Sequence, residues 1–422
     1  MAEEIKRTRL YDWHVRNKAR TAAFGGYDMP LWYTSAKSEH LAVLTHAGLF
    51  DTSHMAAVVV AGADARDLLQ WCFSNDLERA IGKSKAPLRE GRCIYGAFLN
   101  PAGEVIDDAI VYQFDAACYM VVVNAAMGGP VADHLREQAG ERQVTVTDLT
   151  DRLGKLDVQG PAAGRILSRI LADPEAAFDG LFYFSFKGGW ESDRSVSAPI
   201  RLKNGTPVLL SRTGYTGEFG FELFTAADDL VPVWKAIFAA GQDQGLIPCG
   251  LAARDSLRAG AVLPLSHQDI GHWPFMNHPW PFALPMDDAG SGFTKDFLGA
   301  GALGSIENPQ YTYPFAGQDL RKVTLPAIVA DEQDNVIGTV LTCATDVAIG
   351  RVEGQIFSVA SPDKPADFKA RGLSCGFVKV SQALPSGTRI TLKDQRRSLP
   401  VTIVEDIRPH RTARAPIRSM LG

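Results

Sequence analysis

Residues 93–124 hold the pattern that most constrains the fold. Two β-forming apolar runs, 93–99 and 106–114, flank Asn100-Pro101-Ala102-Gly103, and a third run, 119–124, is almost wholly apolar. Asn-Pro with a nearby glycine is strong turn chemistry, so the first two runs predict a β-hairpin. The third reads as a central strand beside it. An antiparallel sheet is therefore expected near residue 100, with helices packed against it.

The flanking segments mix both periods. Helices are expected over 7–23 and 38–47, the first followed by a Gly25-Gly26 turn and the second ending at Gly48 as a C-terminal glycine cap. A strand at 56–60, a helix at 63–72 and a helix opening at Gly129-Pro130 follow. Short strands at 144–148 and 156–159 lead into a helix from Gly160-Pro161 to 171. Strands at 207–212 and 221–224 flank a glycine-rich turn, 214–220, and helices are expected at 228–242 and 250–260. This irregular alternation favours α+β over a doubly wound parallel sheet. Residues 264–294, rich in Pro, Trp, His and Gly, read as a long ordered loop. From 322 onward, strand patterns at 322–330, 336–343, 373–380, 388–392 and 399–404 predict a small β-barrel or sandwich, interrupted by a polar insertion near 354–371. The expected division is 1–150, 151–320 and 321–422.

Composition narrows the function class. The 422 residues carry 48 acids against 43 bases, a net charge of −5, which gives no support for a nucleic-acid surface. No apolar run approaches the ~20 residues of a membrane helix. The charged, acid-containing N-terminus lacks a leader-like apolar stretch, so a cytoplasmic protein is expected. Six cysteines stand singly with no CxxC, and read as reduced, buried thiols. His267, His272 and His278 cluster without metal-ligand spacing, and no metal site is expected.

Candidate chemistry begins at VIDDAIVY. Alternation puts Ile106, Asp108, Ile110 and Tyr112 on one strand face and Asp107 on the other. One carboxylate can then meet solvent while the other turns inward. Asp108 is the candidate pocket-facing group, partly desolvated and able to handle a proton; the competing reading has both acids capping the turn. Tyr95, Asn124, Tyr183, Tyr215 and Glu222 stand on other strand or turn segments. SRTGYTGEFGFELF (211–224) sets an aromatic and two acids at a glycine-rich turn. Arg254 and Arg258 share a helix face, suited to an anion, to paired acids or to water.

These segments resemble the folate-dependent aminomethyltransferase family, the T-protein of the glycine cleavage system. The matching pieces are GGYDMPLWYTS (25–35), HAGLFDTSHM (46–55), YGAFLNPAGEVIDDAIVY (95–112), VVVNAA (121–126), QGP (159–161), SRTGYTGEFGFEL, GLAARDSLR and KDFLG (295–299), in family order from residue 8 to about 300. The resemblance implies a three-domain ring, two α+β domains and a terminal β-barrel around a central folate-binding hole. It implies Asp108 as the catalytic aspartate, and Tyr95, Tyr112, Asn124, Tyr183, Tyr215, Glu222 and Arg254 as folate-pocket positions. It further implies tetrahydrofolate as acceptor and a lipoylated H-protein as donor partner, with neither metal nor nicotinamide required.

The sequence departs from the family pattern after the pocket. Phe219 replaces an acid, Gly260 stands where a glutamate is usual, a Tyr-Gly-x-Asp piece reads Ser266-His267-Gln268-Asp269, and Pro-Phe-Glu is replaced by Pro279-Trp280-Pro281-Phe282. Trp273 and Trp280 make this half more aromatic. That leaves an alternative, a related tetrahydrofolate-dependent O-, N- or S-demethylase taking a small-molecule methyl donor, and a weaker one, a non-catalytic folate-binding protein. Packing of the long loop is the competing account of the tryptophans.

Overall fold

The expected hairpin is present, Arg92–Leu99 paired antiparallel with Val105–Gln113, and Cys118–Val123 lies beside it. The computed structural model describes residues 5–191, 194–196 and 199–421; the first four residues of the charged N-terminal stretch lie outside them. Ala56–Ala61 and Thr145–Asp148 complete a five-stranded sheet. A second, seven-stranded sheet contains Phe186–Glu191, Leu209–Ser211, Gly220–Ala226 and Leu153–Gln159, and ends on Ala47–Asp51 and Leu246–Cys249.

Strand alternation turns these two sheets into a four-layer stack. On the first, Val58, Val111 and Val121 face helices Ala65–Cys72 and Gly128–Ala139 through Leu68, Leu69 and Leu135. On the second, Leu156, Val158, Phe221 and Leu223 face helices Ala163–Ile170 and Leu230–Gly241. The remaining faces meet each other through Val59, Tyr112, Val122, Phe186, Leu209 and Phe224. Alternate residues on each strand point to opposite faces, so polar side chains in register with this inner layer are held between the sheets.

The C-terminal region is a closed six-stranded barrel, in order Tyr311–Ala316, Leu373–Val380, Val336–Asp346, Ile328–Ala330, Arg389–Lys393 and Ser398–Ile403. The molecule is thus mixed α+β with a terminal barrel. Tyr311–Ala316, a strand absent from the sequence reading, closes the barrel by pairing with both Leu373–Val380 and Ser398–Ile403. Part of the polar insertion pairs with its neighbour as a small hairpin, Ile349–Val352 with Gln355–Ser358.

Three local expectations change. The helix expected over 7–23 is only Tyr11–Arg16; Lys18 turns at φ 60° and Arg20–Phe24 pairs with Tyr27–Trp32 across Gly25 and Gly26, at φ 54° and 81°. Two consecutive left-handed residues are the geometry of a tight hairpin, for which Gly-Gly is suited. Gly48 is not a helix cap. Helix Ala36–Thr45 stops earlier, and Gly48 lies inside a buried strand where a Cβ would meet Val43 Cγ2 at 2.6 Å and Cys249 Sγ at 2.7 Å. Finally, that strand, inside the span 1–150, belongs to the second sheet, because its parallel partner Leu246–Cys249 lies there.

Candidate active site

The hairpin end carries a carboxylate pair joined by one amide. Asn124, one residue past the neighbouring strand, points Nδ2 to Asp107 Oδ1 at 2.8 Å and to Asp108 Oδ1 at 2.6 Å, while its backbone N–H donates to Asp107 Oδ2 at 2.9 Å. Tyr95, on the paired strand, donates its hydroxyl to Asp108 Oδ2 at 2.8 Å. Ser266 Oγ donates to Asp107 at 2.7 Å, from the long loop that folds over the hairpin.

The expectation that one acid meets solvent while Asp108 is the inward one needs correction. Asp107 is fully buried, roofed by the loop, and Asp108 is the partly exposed member. The physical reason is the 264–294 loop, which no strand periodicity can announce. Both acids also share Asn124, so their faces are not independent. Burial, then the charge of Asp107, push Asp108 up to about 7, against the lowering effect of Tyr95, Asn124 and His267. Asp108 can therefore exchange a proton near neutral pH.

A second cluster lies between the sheets. Lys155 and Asp157 stand two apart on Leu153–Gln159, opposite in phase to Leu156 and Val158, and so point inward. Lys155 Nζ lies 2.7 Å from Asp157 and 2.5 Å from Glu222 Oε1. Thr213 donates to Glu222 Oε2 at 2.5 Å, and Tyr112 reaches the same oxygen at 3.4 Å. Arg254, on helix Leu251–Gly260, pairs with Asp157 at 2.8 Å. Burial opposes ionisation of Asp157, yet the charges of Lys155 and Arg254 together hold it at about 2. Glu222 thus has both oxygens engaged by the protein.

Tyr215 links the clusters. The Arg254 guanidinium lies 4.8 Å from its ring centroid, and its hydroxyl donates to the Pro264 carbonyl. Burial raises its pKa, and Asp108 adds to that rise. Tyr215 and Arg254 line a cavity of about 540 Å³, walled also by Phe24, Leu31, Lys37 and Lys322, within the ~300–1,000 Å³ range of small-molecule sites. Near it His54 is buried, with its ring 5.6 Å from Phe24, held down to about 4 by burial, and Nδ1 has no hydrogen-bond partner among the described residues. Tyr183 stands apart, packed on Phe184 with the Arg414 guanidinium 5.4 Å from its ring.

Of the eight residues expected in the site, Asp108, Tyr95 and Asn124 form one contact group, Tyr112, Glu222 and Arg254 join through Lys155 and Asp157, and Tyr215 bridges. Lys155, Asp157, Thr213 and Ser266 were not anticipated. A Lys-x-Asp pair inside an apolar strand was the available signal for the first two, since buried charges require partners.

Arg258 is taken up by paired acids. It is buried against Asp255 and Asp269 and reaches Thr342 of the barrel at 2.9 Å. The three loop histidines serve separate places. His267 faces Asp107, His278 stacks between Phe275 and Trp280, and His272 is exposed. Trp280, 1% exposed, donates its indole N–H to the Val262 carbonyl at 2.7 Å and packs on Phe377. Lys379 covers the Trp273 ring at 4.0 Å. The packing account of the tryptophans is the one this geometry favours.

No helix among the described residues is long and apolar enough to cross a membrane. Residues 10–273 match the GCVT N-terminal domain family. An aminomethyltransferase of Bacillus velezensis is 41% identical over 266 residues, 63% of this chain and 66% of that one, so the chain spans about two thirds of that relative's length. The aminomethyltransferase of Symbiobacterium thermophilum is 37% identical over 334 residues, 76% of this chain and 80% of its own. The crystal structure of the glycine cleavage system aminomethyltransferase T from Bartonella henselae shares the fold, with a TM-score of 0.74 at 24% identity, covering 95% of this chain and 97% of that one. The chain belongs to the aminomethyltransferase family.

Proposed function

We propose that the protein is the aminomethyltransferase of glycine cleavage, moving the one-carbon unit of an aminomethyl-lipoyl H-protein onto tetrahydrofolate. The products are methylenetetrahydrofolate, ammonia and the dihydrolipoyl protein. The observation that carries this reading is Asp108, a carboxylate held at about 7 by burial and by Asp107 while Tyr95 and Asn124 fix its orientation.

The reaction breaks two acceptor N–H bonds and the donor C–N and C–S bonds, and forms two N–C bonds. The two protons leave on ammonia and on the thiol. Bound tetrahydrofolate supplies the nucleophilic nitrogens. A group with a pKa near the working pH can accept a proton in one step and return it in the next, which is the role assigned to Asp108. Tyr215 offers an aromatic wall of the cavity, with Arg254 over one face of its ring, suited to a flat heterocycle. Glu222, accepting from Lys155 on Oε1 and from Thr213 on Oε2, is the carboxylate assigned to a pterin amino edge, which would add a donor to Oε1.

The direct test is an assay of purified protein with tetrahydrofolate and aminomethyl-lipoyl H-protein, run beside a panel of O-, N- and S-methylated donors. Release of ammonia with formation of methylenetetrahydrofolate is expected. Turnover of a methylated donor alone would sink the reading.

A further inference from the structure

His267 stands at φ 63°, the left-handed region that disfavours any residue with a Cβ. Its neighbours hold that turn in place. Ser266 donates to Asp107 at 2.7 Å, and Asp269 accepts from Arg258, from Thr342 at 2.7 Å and from the Leu265 backbone N–H at 3.0 Å. Glycine would take such a backbone without strain. This chain instead carries an imidazole there, and its Nε2 lies 3.5 Å from Asp107 Oδ1 with 40% of the side chain exposed.

We propose that His267 is a positioning residue for the carboxylate pair: its ring supplies the counter-charge of buried Asp107 and so leaves Asp108 as the acid whose proton is exchanged in turnover. The proposal deepens the function given above and rests on Asp108 being that proton carrier. The charged and titratable groups around the ring allow it. On the hairpin these are Asp107 and Asp108. Asp269 on its own loop closes on Arg258 of helix Leu251–Gly260, and the Tyr215 hydroxyl is spent on the Pro264 carbonyl. On the barrel, Lys379 sits over Trp273. The hydrogen bond to Asp107 raises His267 above the ordinary histidine value, and the His267 charge in turn draws Asp108 down. Without the ring, Asp107 would push Asp108 higher and the acid limb of the reaction would move toward alkaline pH.

Two measurements on the full chain test this. In the first, histidine ring signals are followed by NMR across pH without substrate. The His267 midpoint should lie above that of an exposed histidine, and Asp107→Asn should lower it by about half a unit or more. A wild-type midpoint at or below the ordinary value overturns the proposal even if Asp107→Asn does not fold. In the second, His267→Asn, which tolerates the left-handed backbone, is compared with wild type in steady state. Its acid limb in kcat/KM should rise by about half a pH unit, and neutral-pH turnover should fall about two- to threefold at unchanged tetrahydrofolate affinity. Superimposable profiles overturn it. Failure of the wild type to use an aminomethyl donor would instead remove the functional reading, and the ring titration would still decide the His267–Asp107 pairing.

Discussion

Asn124 and Asp108 are joined by a 2.6 Å hydrogen bond whose donor nitrogen also lies 2.8 Å from Asp107. One amide group, with two hydrogens, is thus shared between adjacent carboxylates. Two negative charges this close repel, and the pair is tolerable because one of them holds its proton at or near neutral pH.

The two acids should separate by assay. Asp108→Asn should lower kcat by at least ~10²-fold with little change in tetrahydrofolate affinity, because proton handling is lost while the contacts remain. Asp107→Asn should instead lower stability by about 1–3 kcal/mol, since Asn124, Ser266 and His267 would face an amide in place of an ionised acceptor. Kinetics and thermal melts on both variants check this. Equal kinetic loss at unchanged melting temperature would refute the division.

The raised Asp108 also predicts a stability profile. A carboxyl raised from 3.8 to about 7 on folding contributes stability that is fully present below pH 3.8 and lost as pH rises through about 7. Asp108→Asn removes that loss. Urea midpoints should therefore favour the variant over wild type at pH 8, with the gap closing toward pH 4. A gap that does not vary with pH would contradict the shift.

Lys155 tests the buried ion cluster. Its removal as Lys155→Met leaves Asp157 and Glu222, register partners on adjacent strands, side by side without their shared cation. Breaking a buried pair from one side costs about 3–5 kcal/mol. Adding Glu222→Gln should return part of that loss, a non-additivity readable in denaturant midpoints. Additive effects would place the two groups outside one network.

Gly260 leaves room for a carboxylate of the barrel. A Cβ there would meet Asp346 Oδ2 at 1.9 Å and Arg408 Nη1 at 2.8 Å. Asp346, on the barrel, instead bridges His40 at 3.0 Å and Arg408 at 2.6 Å, and Arg408 continues to Glu218 at 3.1 Å. Burial works against that charge, yet His40 and Arg408 hold the Asp346 carboxyl far below its usual range. The space beside Gly260 is thus filled by a carboxylate from the barrel. Gly260→Glu should lower the melting temperature markedly, and Gly260→Glu with Asp346→Ala should recover part of it. No recovery would show that Asp346 is not the group in the way.

Trp280→Ala should behave as a core truncation, costing about 3–5 kcal/mol in denaturation. Donor and tetrahydrofolate affinities should be unaltered in the protein that stays folded. A selective loss of donor affinity would restore the aromatic-pocket account of residues 264–294.

Local patterning in the sequence was enough to place the 93–124 hairpin and its neighbour, the α+β mixture and the barrel strands other than Tyr311–Ala316. Those features follow from turn chemistry and the two periods of side-chain direction, which act over a few residues. The same alternation put Asp108 and Tyr112 on one strand face, where the structure has them in separate contact groups, and ordered motifs brought Tyr95, Asn124, Tyr215, Glu222 and Arg254 under suspicion. Tertiary structure alone decided the rest. Strand Ala47–Asp51 joined the second sheet because its partners lie about 100 and 200 residues further on in the chain, at Leu153–Gln159 and Leu246–Cys249. Asp107 became the buried acid because a loop some 160 residues distant brought Ser266 and His267 over it. Burial and the charges of neighbours set the proton affinity of Asp108, and both are properties of the assembled layers, which no short window of sequence contains.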